Sequence, residues 1–132
     1  MNTKRKLIYP ELSYRIIGIL FKVHSQLGSQ YQEKYYQRAV ELALKEMGLQ
    51  YQKEISVDIQ FNNNRIGKYL LDFVIEDKIV LELKAKGQFC QEDIRQVLGY
   101  LKAKNLRLGI LANFRKDRLE YKRIINREYS PE

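Results

Sequence analysis

The sequence has 132 residues, of which 45% are hydrophobic, and its formal net charge is +8. This length suits a single domain with one core, and no apolar run approaches the roughly 20 residues that a membrane-spanning helix requires. The basic start lacks the apolar core of a signal sequence and Cys90 is the only cysteine, which excludes an internal disulfide and a thiolate metal cluster, so we expect a cytoplasmic protein.

Two helices are predicted in the first third of the chain. Apolar residues recur at near-helical spacing in residues 12–27, and Gly28 is typical of the residue at which a helix ends. A second apolar stripe runs through residues 31–47, and Gly48 again marks its end. The sequence therefore begins with two amphipathic helices joined by a short connection.

The middle of the chain has the alternation of β-strands. Residues 51–61 alternate apolar and polar side chains, which predicts a strand with one face in water. The three asparagines at 62–64 predict a turn, because asparagine tolerates left-handed backbone. Residues 69–75 and 79–84 are two β-prone runs around a short polar turn, and they predict a β-hairpin.

A helix and a further strand are predicted after the hairpin. Residues 91–104 have a helical pattern that Asn105 could cap, and residues 106–114 have the apolar character of a buried strand. Residues 119–125 fit either a strand or a short helix. The order α-α-β-β-β-α-β predicts one α/β domain over residues 1–132, with a mixed sheet of about four to five strands flanked by helices. The crossover from the third to the fourth strand favours parallel pairing there.

The predicted hairpin gathers three charged residues. With Asp77 at the turn centre, Asp72 and Glu82 lie opposite each other on one face, with Cβ atoms roughly 5 Å apart. Lys84 lies two residues beyond Glu82 and therefore shares its face. Burying such charges costs several kcal/mol unless they are paired or metal-bound. The cluster therefore indicates either a functional site or a cross-strand salt bridge.

Two carboxylates on a rigid hairpin are suited to Mg²⁺, with Mn²⁺ as an alternative, and water would fill the remaining positions. We assign Asp72 and Glu82 as ligands, and the backbone carbonyl of Leu83 as a further ligand. Lys84 would orient the attacking water or stabilise developing charge. His24 is the only histidine, which excludes a site built on two histidines.

The C-terminal part of the chain is strongly basic. Residues 102–127 contain nine lysines or arginines against two acidic residues. Such a surface beside a carboxylate cluster suits a polyanion, with nucleic acid as the first candidate. The alternative is a solvated basic face that only maintains solubility. The nucleic-acid contacts assigned in this segment are Lys102, Arg115, Lys116, Arg118, Lys122 and Arg123.

Asp72 and the Glu82-x-Lys84 motif on a hairpin, followed by a helix and a strand, resemble the PD-(D/E)xK nuclease superfamily. The resemblance implies a restriction-endonuclease-like core. Leu71 stands at the position where the family name has proline.

The helix after the motif extends the resemblance. It carries Gln96 and Tyr100 at a spacing that places both on one helical face. This pair resembles the Gln-xxx-Tyr motif of the RecB-like branch, in which it lies beside the metal site. The resemblance implies that both residues hold Lys84 or a substrate phosphate. An amphipathic helix with two polar residues at its edge would show the same spacing.

Residues 30–36 add a second resemblance. From about residue 16 to residue 125 the chain is similar to the small bacterial family called GxxExxY proteins, with Glu33 and Tyr36 at the expected spacing. Gln30 departs from the pattern, because the family has glycine there. That loss weakens any expectation that the backbone closely approaches a ligand at this point.

The resemblance implies that Glu33 assists the metal or its water. A glutamate in the first turn of a helix is also favoured by the helix dipole alone. Tyr35 and Tyr36 lie beside it in the sequence, and we expect Tyr36 to contact nucleic acid.

Together these features predict a Mg²⁺-dependent nuclease that hydrolyses DNA in preference to RNA. The catalytic residues would be Glu33, Asp72, Glu82, Lys84, Gln96 and Tyr100. A homodimer is compatible with so small a site. The alternative is a module that retains the nuclease fold and binds nucleic acid or a protein partner without catalysis.

Overall fold

The computed structural model describes residues 7–131, which form three helices and five strands. The basic start of the chain, residues 1–6, lies outside the described part. The elements are α1 (Pro10–Leu27), α2 (Glu33–Glu46), β1 (Tyr51–Phe61), β2 (Asn64–Ile75), β3 (Ile79–Lys84), α3 (Gln91–Lys104), β4 (Leu108–Asn113) and β5 (Glu120–Ile125).

The strands form one mixed sheet in the order β1-β2-β3-β4-β5. Strands β3 and β4 pair in parallel, and all other neighbours are antiparallel. Helix α3 connects the two parallel strands, as the predicted crossover requires. The predicted α/β class and mixed sheet are confirmed, and the undecided last segment is the edge strand β5.

Helices cover both faces of the sheet. α1 and α2 pack on one face, where the core includes Leu20, Tyr36, Leu81 and Ile110. α3 packs on the other face through Val97 and Leu101, among other residues. Because both faces of β3 and β4 are covered, these strands are almost continuously apolar, as parallel strands in such sheets are.

Two element boundaries differ from the sequence prediction for identifiable reasons. α2 begins at Glu33 because the preceding Gln32 has extended backbone and does not continue the helix. β4 begins at Leu108 because Asn105 is left-handed, with φ 52°, and the N–H of Leu106 still bonds to the carbonyl of Leu101. The end of α3 therefore uses Leu106, which the sequence pattern places in the strand.

Within residues 7–131, no helix combines the length and the apolar composition needed to cross a bilayer.

Close packing of α3 on the sheet gives a stability prediction at Gly109. A Cβ at this position would lie 2.5 Å from Cγ1 of Val97, a β-branched side chain with little freedom to move. We expect Gly109→Ala to destabilise the fold by about 1–3 kcal/mol in urea unfolding. Gly18→Ala is the control, because its exposed helical position has open space and alanine should stabilise it by up to about 1 kcal/mol. Equal stability of Gly109→Ala and wild type would contradict this account of the packing.

Candidate functional site

Asp72 and Glu82 lie where β2 and β3 stop bonding to each other. The last backbone pair is Phe73 with Leu81, so the next residues along the register are Asp72 and Glu82, as the turn centre predicted. The N–H of Asp72 donates to Oε1 of Glu82 (2.9 Å). The N–H of Leu83 donates to Oδ2 of Asp72 (2.7 Å). Each carboxylate thus replaces a backbone acceptor of the ladder, and the strands separate without leaving either N–H unpaired.

The pairing of β2 with its other neighbour is also interrupted at Asp72. Glu54 of β1, which the register would place opposite, has left-handed backbone with φ 55° and does not pair. Left-handed backbone is uncommon outside glycine and marks a local distortion of the strand. Asp72 therefore sits at an irregular point of the sheet, and its side chain reaches α2.

Crowding of the two carboxyl groups alters their protonation. Burial, and then the negative charge of Glu82, raise the pKa of Asp72 to about 8. Burial also raises the pKa of Glu82, although the Lys84 ammonium acts in the opposite direction. Near neutral pH the metal-free pair therefore retains a shared proton.

This pair fits a divalent cation. Its donors are carboxylate oxygens, which Mg²⁺ and Mn²⁺ prefer, and a cation would supply the positive charge that the shared proton supplies in its absence. Among residues 7–131, no three His, Cys, Asp or Glu side chains form a metal-binding group. Asp72 and Glu82 would therefore be the side-chain ligands, leaving the other positions to water or to a backbone carbonyl such as that of Leu83.

Gln37 of α2 connects Glu33 to this pair. Its amide nitrogen lies 3.1 Å from Oε2 of Glu33 and 2.7 Å from Oδ1 of Asp72. Glu33 is thus brought to the site through an amide rather than by direct contact. The sequence pattern did not point to Gln37, although its position one helical turn after Glu33 places the two side chains on the same face of α2.

Asp93 of α3 holds the lysine of the site. The Nζ of Lys84 lies 3.4 Å from Oε2 of Glu82 and 3.8 Å from Oδ1 of Asp93. Lys86 is bound to the other oxygen of Asp93 at 2.6 Å. Asp93 also accepts from the N–H of Cys90 and so caps α3. The sequence pattern did not point to Asp93. It stands three residues after the N-cap residue Cys90, which is the position of the acid in a capping box.

Gln96 and Tyr100 lie farther along α3. The backbone carbonyl of Gln96 accepts from the Tyr69 hydroxyl (2.8 Å). Burial, and then the charge of Asp77 in the hairpin turn, raise the pKa of Tyr100. In the described part of the chain neither side chain bonds to Lys84, so that predicted contact is not formed. A contact with a substrate phosphate stays a prediction.

The prediction that Tyr36 contacts nucleic acid is wrong. Its ring is fully buried and stacks on Phe114, with centroids 4.4 Å apart. Its hydroxyl donates to the Gly28 carbonyl and accepts from the N–H of Tyr31. Tyr36 is therefore a core residue that anchors the start of α2.

Arg115 has a structural role that the sequence did not predict, while its contact with a phosphate stays a prediction. Its guanidinium donates to the carbonyls of Ser29 (2.9 Å), Tyr31 (3.1 Å) and Ala85 (3.3 Å). These bonds tie the α1–α2 connection to the segment after β3. Three of its N–H groups are thus used inside the protein.

The other predicted basic contacts are exposed or half-buried, and four of them have internal partners. Lys102 pairs with Glu128, Lys116 pairs with Glu120, Arg123 donates to the Ser13 hydroxyl, and Lys122 lies 5.9 Å from the Phe89 ring centroid. Arg118 is exposed. Lys122 on β5 is paired with Leu111 on β4, which is paired with Glu82 on β3. Lys122 therefore lies in the same row across the sheet as Glu82, two strands away.

A cleft of about 350 Å³ opens beside Asp72. Three basic residues outside the C-terminal segment line this cleft, together with the carboxylates of Glu41, Glu54 and Asp72. The residues lining it are Lys34, Gln37, Arg38, Glu41, Lys53, Glu54, Asp72 and Phe73. Lys53 is paired with Glu41 at 3.1 Å, so Lys34 and Arg38 are the cations that an entering anion would meet.

Comparison with known proteins supports the fold. The sequence profile of the PD-(D/E)XK nuclease superfamily matches residues 10–124. No curated protein sequence matches the chain significantly. A crystal structure of SSO0001 is similar, with a TM-score of 0.52 and 21% sequence identity over 88% of this chain. The chain spans 59% of that protein, and the likeness agrees with the predicted restriction-endonuclease-like core.

The crowded carboxyl pair gives a stability prediction. Because the pKa of Asp72 is raised to about 8 on folding, the folded protein holds an extra proton between the ordinary carboxyl range and about pH 8. Stability of the metal-free protein should therefore fall as the pH rises through this interval. Asp72→Asn removes the charge, so we expect it to be more stable than wild type at about pH 8, by on the order of 1–3 kcal/mol.

Urea unfolding in EDTA at about pH 5 and pH 8 measures this difference, which should be larger at the higher pH. Asp58→Asn is the matched control, because Asp58 is half-exposed on β1. A stability difference between Asp72→Asn and wild type that does not shift in favour of Asp72→Asn between pH 5 and pH 8 would contradict the shared proton.

Proposed function

The chain belongs to the PD-(D/E)XK nuclease superfamily, and from this membership we propose that it is a divalent-metal-dependent nuclease that hydrolyses DNA in preference to RNA. One observation carries the proposal. Asp72 and Glu82 face each other at a gap in the sheet, where burial raises the pKa of both carboxyl groups, and Asp72 lines a cleft that also holds Lys34 and Arg38. The preference for DNA rests on the resemblance to RecB-like nucleases.

Asp72 and Glu82 are proposed to bind Mg²⁺ or Mn²⁺. When bound, the ion supplies Lewis-acid activation of a water molecule and neutralises charge on the phosphate. The raised pKa values mean that the pair must lose its proton for the ion to bind, so binding strengthens as pH rises toward about 8. The carboxylates are also held in position because they accept hydrogen bonds from two backbone N–H groups, those of Asp72 and Leu83.

Lys84 is proposed to orient the attacking water. Its ammonium lies beside Oε2 of Glu82, where it can donate to that water and stabilise charge developing on the phosphate. Asp93 is a positioning residue, because its carboxylate on α3 holds the Lys84 ammonium beside the carboxylate pair. Glu33 would act through Gln37, accepting hydrogen bonds from water around the site.

The nucleic-acid backbone is proposed to enter the cleft beside Lys34 and Arg38. Lys34, Arg38 and Lys53 line it on the α2 side, and Lys122 lies on the α3 side of the sheet. These cations suit a chain of phosphates, and the net charge of +8 favours association with any polyanion.

One observation favours the alternative of a non-catalytic module. All four carboxylate oxygens of the pair already have protein partners, namely Gln37, Leu83, the Asp72 N–H and Lys84. Calorimetric titration with Mg²⁺ and Mn²⁺ separates the two functions. Metal binding that Asp72→Asn abolishes supports the nuclease, whereas a wild-type protein that binds neither ion supports the module.

Cleavage is the direct test of the nuclease. With Mg²⁺ or Mn²⁺, wild-type protein should cut at least one substrate from a panel of single-stranded, duplex and branched DNA and RNA. Asp72→Asn should lower the rate by more than about 100-fold, since even outer partners of a metal site contribute about 10- to 100-fold. Asp58→Asn should cut at the wild-type rate. Absence of cleavage across the whole panel would exclude the nuclease.

Asp93 gives a second kinetic prediction. Asp93→Asn leaves Lys84 without one of its two ionic partners, so we expect kcat to fall about 10- to 100-fold with little change in KM or metal affinity. Asp93→Glu should restore part of the rate because it restores the charge. Glu92→Gln, at the exposed neighbouring position, is the control. A loss in KM alone, or an equal loss in Glu92→Gln, would show that Asp93 does not position Lys84.

A further inference from the structure

We propose that Tyr31 and Tyr35 form a base-binding platform beside the Asp72 cleft, and that the favoured substrate is therefore a strand with unpaired bases. The choice of substrate rests on the proposed nuclease function, but binding to the platform does not require cleavage. The platform is defined here as the two tyrosine rings at the start of α2.

The two rings are exposed next to each other. Tyr31 is 47% exposed and Tyr35 is 41% exposed, and their centroids lie 5.9 Å apart at an interplanar angle of 67°. Neighbouring exposed aromatic rings are the usual means by which proteins bind single-stranded nucleic acid, because every base has a face that can stack on them. Tyr36, which the sequence analysis assigned to this role, is turned into the core instead.

The platform is held rigidly at Tyr31. Its N–H donates to the Tyr36 hydroxyl (3.3 Å), and its carbonyl accepts from the Arg115 guanidinium (3.1 Å). Its ring also packs edge-on against Tyr36 at 6.3 Å. Tyr36 in turn stacks on Phe114, so an aromatic series runs from the core to the surface. A ring fixed before binding loses little conformational entropy when a base stacks on it.

The platform lies beside two cations of the Asp72 cleft. The Nζ of Lys34 lies 5.3 Å from the centroid of Tyr35, and the guanidinium carbon of Arg38 lies 5.6 Å from it. The same two cations line the cleft that contains Asp72. A strand whose phosphates lie against Lys34 and Arg38 can therefore place a neighbouring base at Tyr35 while another phosphate approaches Asp72.

Paired DNA cannot use such a platform without distortion. In a duplex each base is covered on both faces by its neighbours, so a protein ring can stack only on a base that is unpaired or flipped out. Single strands, overhangs and flaps offer such bases directly. The platform therefore favours these structures over blunt duplex DNA.

Binding in EDTA tests the platform apart from catalysis. Fluorescence anisotropy should show tighter binding of a labelled single-stranded oligonucleotide than of a blunt duplex of the same sequence. Tyr35→Ala should weaken single-strand binding roughly 5- to 100-fold and leave duplex binding unchanged. Tyr35→Phe should bind as wild type, because the ring remains. Tyr14→Ala is the control, since Tyr14 is an exposed tyrosine on α1.

Three results would overturn the platform: equal or tighter binding of duplex, Tyr35→Ala binding single strands as wild type does, or no binding of nucleic acid at all. The proposed nuclease fails in a different way. In that case single strands would bind through Tyr35 with metal present or absent, but no substrate would be cut. Cleavage of duplex DNA that Tyr35→Ala does not alter would retain the nuclease and exclude the platform.

Discussion

The site depends on two hydrogen bonds between β2 and β3, in which the N–H of Asp72 donates to the Glu82 carboxylate and the N–H of Leu83 donates to the Asp72 carboxylate. Two strands can separate inside a sheet only if the freed backbone N–H groups find other acceptors, because a buried N–H without a partner is costly. Here the carboxylates are those acceptors for Asp72 and Leu83. The consequence is that two acidic groups lie side by side in a largely apolar sheet, which raises the pKa of both.

The gap between β2 and β3 also joins the two sides of the sheet. A continuous sheet separates the helices on its faces. At this point, however, Gln37 of α2 donates to Asp72, and Asp93 of α3 contacts Lys84 of β3, which in turn contacts Glu82. The geometry of the site is thus set by the docking of two helices on one sheet. Rigid elements of this kind hold side chains more closely than loops do.

The central part of the site could be predicted because it is local. An antiparallel hairpin with its centre at Asp77 has only one register, and that register places Asp72 opposite Glu82. Asp93 and Gln37 were not predicted, because their contacts depend on how each helix is rotated against the sheet. Tyr36 was assigned wrongly for the same reason, since nearness to Glu33 in sequence does not say which way a ring faces.

The sequence by itself determined the order of the elements as far as the fourth strand, the hairpin register and the parallel crossover, because hydrophobic periodicity, turn residues and chain connectivity act over short stretches. Only the tertiary structure decided which tyrosines are exposed, which acid holds Lys84, and that Arg115 binds backbone carbonyls. These outcomes arise from contacts between residues distant along the chain. Such contacts depend on the packing of whole elements, which no local pattern records.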